Sequence, residues 1–158
     1  MLKFLLGCTI VAFTTFCGYI FSKKYRQRKH FFRQLFEFNQ RFLNEIAYYR
    51  RPIQEFIAKY EYQGEFATIL QSYQTSLKGG AFDLSGYTFL REDETVQLYD
   101  YFQMLGKGDS HSQKGYFSGM NDTLLKWKTT SGDEGKKYED LYIKIGFLCG
   151  LFILILIV

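Results

Sequence analysis

Few side chains in these 158 residues have the types and spacing to do chemistry. His30 and His111 are the only histidines. Neither has a cysteine or paired carboxylates at metal-ligand spacing, so both read as solvated surface residues. Leu105-Gly106-Lys107-Gly108-Asp109-Ser110 suggests a phosphate loop. It lacks the four-residue gap and the Gly-Lys-Ser/Thr order that wrap backbone amides around a phosphate, and a helix-helix corner explains it. Glu92, Asp93 and Glu94 could hold a divalent ion, but a charged first turn of a helix is the commoner use of such a run. Asn121-Asp122-Thr123 has the spacing of a glycosylation acceptor, relevant only outside the cell. No catalytic, cofactor or metal site is expected, and no small-molecule substrate.

The elements that would position any site begin with an apolar run. Phe4 to Ser22 is uncharged. As a helix, its nineteen residues extend roughly 28 Å, close to a bilayer's hydrocarbon core of about 30 Å. Lys23, Lys24, Arg26, Arg28, Lys29 and Arg33 follow, with no acid before Glu37. The run reads as a transmembrane helix over residues 1–22. Its basic collar, residues 23–33, lies on the cytoplasmic side, because flanking Lys and Arg set orientation. A secretory signal would carry its charge before the run. Leu5-Leu6-Gly7-Cys8 resembles a lipoprotein cleavage box, but too few residues precede it. Lys23, Lys24, Arg26, Arg28 and Lys29 are expected at the membrane surface, against anionic lipid.

A second uncharged run, Ile145 to Val158, lies at the other end. Extended back to Leu141, with Lys144 reaching toward the surface, residues 141–158 read as a second transmembrane helix. Lys136, Lys137 and Lys144 lie upstream, so both ends place residues 23–140 in the cytoplasm. The alternative is a buried C-terminal core helix. Net charge is +4, with much of the excess in the collar, so nothing points to nucleic acid. Cys8, Cys17 and Cys149 all lie in the apolar runs, where cysteine serves as a small hydrophobe.

The middle reads as helices. Phe31, Leu35, Phe38, Phe42, Ile46 and Tyr49 recur at spacings of three and four, one face of a helix. Phe32, Phe36 and Leu43 widen that face. Pro52 ends the helix near Arg50 or Arg51 and opens the next, which turns Ile53, Phe56, Ile57 and Tyr60 inward. After Gly64, a helix with Phe66, Ile69, Leu70, Tyr73 and Leu77 inward runs to Gly79-Gly80. Residues 81–90 fit a short helix or a loop. Leu98, Tyr101, Phe102 and Leu105 form the next stripe. Asp109 or Ser110 caps a helix with Tyr116, Met120, Leu124 and Trp127 inward. The two glycines and β-branched residues of Thr129 to Gly135 would weaken a helix there. The fold class is therefore all-α: a compact helical bundle between an N-terminal and a C-terminal transmembrane helix. Seventeen Phe, thirteen Tyr and one Trp make up a fifth of the chain. Most fall on these stripes, as core packing requires. The exception is Tyr48-Tyr49-Arg50-Arg51. Aromatic and Arg side chains at one corner have the composition of an interface hot spot, so these four are the candidate partner-binding residues.

Three segments give the chain a resemblance. They are Asn44-Glu45-Ile46-Ala47-Tyr48 with Pro52-Ile53; Leu90 to Glu94, Leu98, Phe102, Leu105 to Asp109 and Gln113; and Leu141-Tyr142 with Ile145 to Gly150. Across essentially its whole length the chain resembles the stage III sporulation protein AB family. It departs from the family pattern in a somewhat shorter middle and in Gly132 and Gly135 before the last run. The resemblance implies a non-enzymatic component of a secretion-like complex that links mother cell and forespore, seated in the mother-cell membrane. It also implies a helical domain similar to the cytoplasmic domain of the type II secretion F protein, with a companion ATPase and other membrane proteins as partners. The alternative is a membrane-anchored helical adaptor or regulator unrelated to sporulation. A membrane enzyme acting on lipid would need clustered His, Asp, Glu or Ser at the interface, and the collar offers only bases.

Overall fold

A computed structural model describes residues 2–48 and 51–157, with side chains over 6–48 and 51–156. The described residues form five helices and no strand: α1 (Leu2–Tyr48), α2 (Ile53–Lys59), α3 (Gly64–Ser76), α4 (Glu92–Met104) and α5 (Ser110–Ile157). They pack as two units. One contains Met1–Lys29 and Ser131–Val158, the other His30–Thr130. Residues 23–29 and 131–140, assigned above to the middle domain, thus belong with the terminal helices.

The first unit is an antiparallel pair of helices whose backbones touch. A methyl group on Gly18 would strike the Tyr142 carbonyl, and one on Gly146 the Thr14 carbonyl. At Gly150 it would lie 2.8 Å from the Val11 Cα, and at Gly7 it would enter the Leu154 side chain. Gly146 and Gly150 stand four apart, the spacing that lets two helices approach closely along one face. Hydroxyls in the run are satisfied within their own helix. Thr14 donates to the Ile10 and Val11 carbonyls, Thr15 to Val11 and Ser22 to Tyr19. Large apolar side chains point away from the seam, among them Phe13 (67% exposed), Phe16, Phe21, Leu148, Phe152 and Ile155 (73%).

By length and composition, among the described residues only α1 is apolar enough to cross a membrane. The expected C-terminal span does not stand out in this way. Its uncharged run is short, and extending it backward meets Lys144, Asp140 and Glu139.

The second unit has an aromatic core. Phe31, Phe32, Phe38, Phe42, Phe56, Phe66, Phe102, Phe117 and Tyr101 are buried along with Leu35, Ile69 and Leu98. The rings meet mostly edge to face, as aromatic quadrupoles prefer: Phe42 and Phe117 at 4.8 Å and 87°, Tyr101 and Phe117 at 5.0 Å and 89°. The expected stripes of α1 to α5 face this core, except that Leu77 is exposed and Tyr49 lies outside the described residues. Residues 81–90 form turns rather than a helix, anchored by buried Leu84 and Phe89.

The weak stretch Thr129 to Gly135 is helical throughout. Tertiary packing overrides its poor propensity. Ser131 is buried, and Gly135 leaves room for the Lys29 stem, which an added methyl would approach to 2.8 Å.

Candidate functional site

The candidate site is the corner where α1 ends and α2 begins. Pro52 starts α2 with φ −54°, and its carbonyl accepts from the Glu55 and Phe56 N–H groups. The α4–α5 turn meets this corner. It needs glycine twice, at Gly106 (φ 72°) and Gly108 (φ 84°), because a side chain is strained in left-handed geometry. A methyl on Gly106 would also come within 3.1 Å of Ile53. Asp109 then caps α5, its carboxylate accepting from the Ser112 N–H at 2.7 Å. That bond holds the Asp109 carboxyl below the usual carboxylate range.

Between these elements lies a cavity of about 160 Å³, lined by Phe42, Glu45, Ile46, Arg51, Pro52, Ile53, Gly106, Ser110 and Gln113. Glu45 is the unusual member. Its side chain is 4% exposed, yet it sits on the buried stripe between Phe42 and Ile46. Arg51 Nε lies 3.4 Å from one carboxylate oxygen and Lys59 Nζ 3.8 Å from the other. The oxygen facing Arg51, Oε1, is buried without a hydrogen bond. Deeper in the bundle, Asn39 donates to the Phe117 carbonyl at 3.2 Å and accepts from the Tyr101 hydroxyl at 3.1 Å. Burial holds the Tyr101 phenol well above its ordinary pKa.

The structure distributes the expected site residues unevenly. Tyr48 is 79% exposed at the end of α1. Tyr49 and Arg50 lie outside the described residues. Arg51 is exposed but engaged with Glu45 rather than simply displayed at the corner. In the collar, Lys23 and Lys24 are exposed and Lys29 lies against Gly135. Arg26 instead pairs with Glu139 at 2.8 Å and bonds the Tyr19 hydroxyl. Arg28 is buried, with Glu134 at 3.1 Å. These two arginines therefore tie α1 to α5 instead of facing outward. His30 and His111 are exposed, with Arg33 beside His30 Nδ1 at 3.2 Å. Among the described residues, no group of three or more His, Cys, Asp or Glu is placed to hold a metal.

Glu45, Asn39 and Gln113 are the site and core residues that stripe analysis passes over. The available signal for Glu45 and Asn39 was a polar residue set within an apolar face.

Residues 3–158 match the family described as stage III sporulation protein AB. The chain belongs to that family. No curated protein and no solved structure matches. Membership places the chain among sporulation stage III proteins, components of a complex rather than a known enzyme family. It sets aside the adaptor unrelated to sporulation. The family resemblance also gains a location. Glu45, Ile46, Pro52, Ile53, Gly106 and Gln113, drawn from two of the three segments that carry it, line one cavity.

Proposed function

We propose that the chain is a non-enzymatic platform component of the sporulation channel between mother cell and forespore. It is anchored in the mother-cell membrane by a hairpin of two helices and presents its bundle to a companion ATPase in the cytoplasm. The observation that carries this reading is the first unit. A helix pair in water would not leave Phe13, Phe16, Phe21, Leu148, Phe152 and Ile155 outward. Its inner face has the close backbone approach and locally satisfied hydroxyls that suit lipid surroundings. That favours α5 as the second span, short as its uncharged run is, with Lys144 extending to the surface. Lys23 and Lys24 are then the collar residues free to meet anionic headgroups, at about 1 kcal/mol each. The α1–α2 corner, with Tyr48 displayed and the Glu45 cavity beside it, is the partner-facing surface.

Topology is tested with single cysteines at Thr88 and Ser118, both exposed, in a background without the three native ones. Ser131 is buried and unsuitable. Protection from an impermeant thiol reagent until the membrane is opened is the expected result. Labelling of both positions in intact cells would overturn the cytoplasmic bundle and the ATPase together. Partner binding is tested with Tyr48→Ala. The exposed ring is expected to cost less than about 0.5 kcal/mol of stability, while capture of the ATPase falls several-fold. Undiminished capture by the folded variant would remove the corner from the interface. Charge reversal at Arg51 is the poorer test, because it would set a second carboxylate beside buried Glu45.

A further inference from the structure

We propose that the outer face of α4 receives a second copy of this chain, the two α4 helices lying antiparallel about a two-fold axis. Among the described residues, the second unit leaves five large hydrophobic side chains exposed: Tyr48, Leu77, Val96, Tyr99 and Leu125. Three of them fall together here. Val96 and Tyr99 stand three apart on α4, so they are neighbours on one helix face. Leu77 and Tyr99 line one groove with Gly80, Phe82, Gln103 and Lys107, and the Tyr99 ring stacks on Phe82 at 5.9 Å. Scattered single hydrophobics are ordinary on a surface, whereas a contiguous patch marks a contact.

The occupant follows from the order of charges along that face. At ~100° per residue, Glu92, Val96, Tyr99 and Gln103 fall within an arc of ~60°. Lys107 follows one turn beyond Gln103 and donates to Gln103 Oε1 at 2.7 Å, so its ammonium lies back along the stripe. Glu92 and Lys107 are both exposed, and among the described residues neither has an ion-pair partner. The stripe thus runs from an acid at its start, through Val96 and Tyr99, to a base at its end. Turned end for end against itself, it sets Glu92 of each copy against Lys107 of the other, Val96 against Gln103, and Tyr99 against its own counterpart. The Glu92–Lys107 contact then occurs twice, as an isologous interface requires, and charge rims an apolar, aromatic centre. A parallel pairing would set like charge against like. Asp93 and Asp100 lie further round the helix. Asp100 is on the side of Tyr116, whose phenol is raised by burial and then by the Asp100 charge.

The test uses the full chain in detergent micelles, its three native cysteines replaced, with Ser118→Cys carrying a donor dye in one pool and an acceptor dye in another. Energy transfer between the pools is expected to rise saturably with protein concentration. Glu92→Lys and Lys107→Glu should each weaken the association about tenfold or more, since both ion pairs become repulsions. Mixing the two variants should restore it, because each then meets its opposite charge in the other. The fluorescence of Trp127, the single tryptophan, checks that each variant is folded. If a charge variant does not fold, Val96→Glu, at a side chain 60% exposed, must abolish the transfer by itself. Absence of saturable transfer with Glu92 and Lys107 intact, equal transfer in every variant, or a mixture no stronger than either variant alone would each overturn the proposal. The pairing does not rest on the platform reading, since neither membrane orientation nor the ATPase enters it.

Discussion

The two units have opposite interiors. The bundle is filled by large rings, with eleven buried phenylalanines and tyrosines among the described residues, such as Phe38 against Phe56 at 5.3 Å. The helix pair is closed over much of its length by the absence of side chains, at Gly7, Gly18, Gly146 and Gly150, with Tyr25 set against Tyr138 and Tyr142 beyond them, and it turns Phe13, Phe16 and Phe152 outward. Burying rings stabilises a fold when the alternative is water. Where the surroundings are as apolar as the side chains, that gain disappears, and close backbone contact takes its place. With the helix pair as the membrane hairpin proposed above, one chain applies two packing rules, and the boundary falls within both α1 and α5.

The largest effect that would sharpen this contrast is in the bundle. Phe117 touches Phe42, Tyr101 and Tyr116. Phe117→Ala is expected to destabilise the bundle by about 3–5 kcal/mol. Trp127, nearly buried and 5.4 Å from Phe32, is the chain's single tryptophan and reports that unfolding by fluorescence. A loss below about 1 kcal/mol, well short of a cavity's cost, would mean the rings are less tightly interlocked than their geometry.

The seam should answer to addition rather than removal. Gly146→Leu places a side chain where the Thr14 backbone lies. Overpacking of this kind costs about 1–3 kcal/mol. Cysteines replacing Tyr25 and Tyr138, whose rings are 4.9 Å apart, give a cross-linking readout in a background lacking the native three. Gly146→Leu is expected to slow their oxidation several-fold while leaving the Trp127 transition in place. A Trp127 shift as large as that of Phe117→Ala would break the comparison, since the two interiors would then unfold together.

Much of the bundle could be read from period alone, because Phe31, Leu35, Phe38, Phe42 and Ile46 repeat as one helical face and are all buried. What escaped had no local signature. Glu139 and Glu134 pair with Arg26 and Arg28 from more than a hundred residues away, so the collar reads as uniformly basic until the fold assigns its partners. Propensity placed a weak point at Thr129 to Gly135, where Gly135 is needed for the close approach of Lys29. At the candidate site, the composition of Tyr48 to Arg51 marked the corner. Its buried member, Glu45, was hidden by the same periodicity that revealed the core, because a carboxylate between Phe42 and Ile46 reads as the edge of a stripe.

The smallest effect concerns hydroxyls, which the two units satisfy differently. In the seam Thr14 and Thr15 bond carbonyls one turn back. In the bundle Tyr73 reaches from α3 to the Leu105 carbonyl, 2.9 Å away, and burial pushes its pKa up to about 12. Tyr73→Phe should cost about 0.5–1.5 kcal/mol at neutral pH, the worth of one such bond. The pH dependence gives the sharper test. A phenol raised in the folded state contributes its full stability below the unfolded value of about 10, and that contribution is lost as pH rises toward the folded value. The deficit of Tyr73→Phe should therefore shrink between about pH 10 and 12, since the variant has no phenol to ionise there. Urea titrations followed at Trp127 at pH 7, 9 and above 10 measure it. A deficit that stays constant would place Tyr73 in contact with water, and the bundle's hydroxyls would then be no more committed to the core than those of the seam are to their own helix.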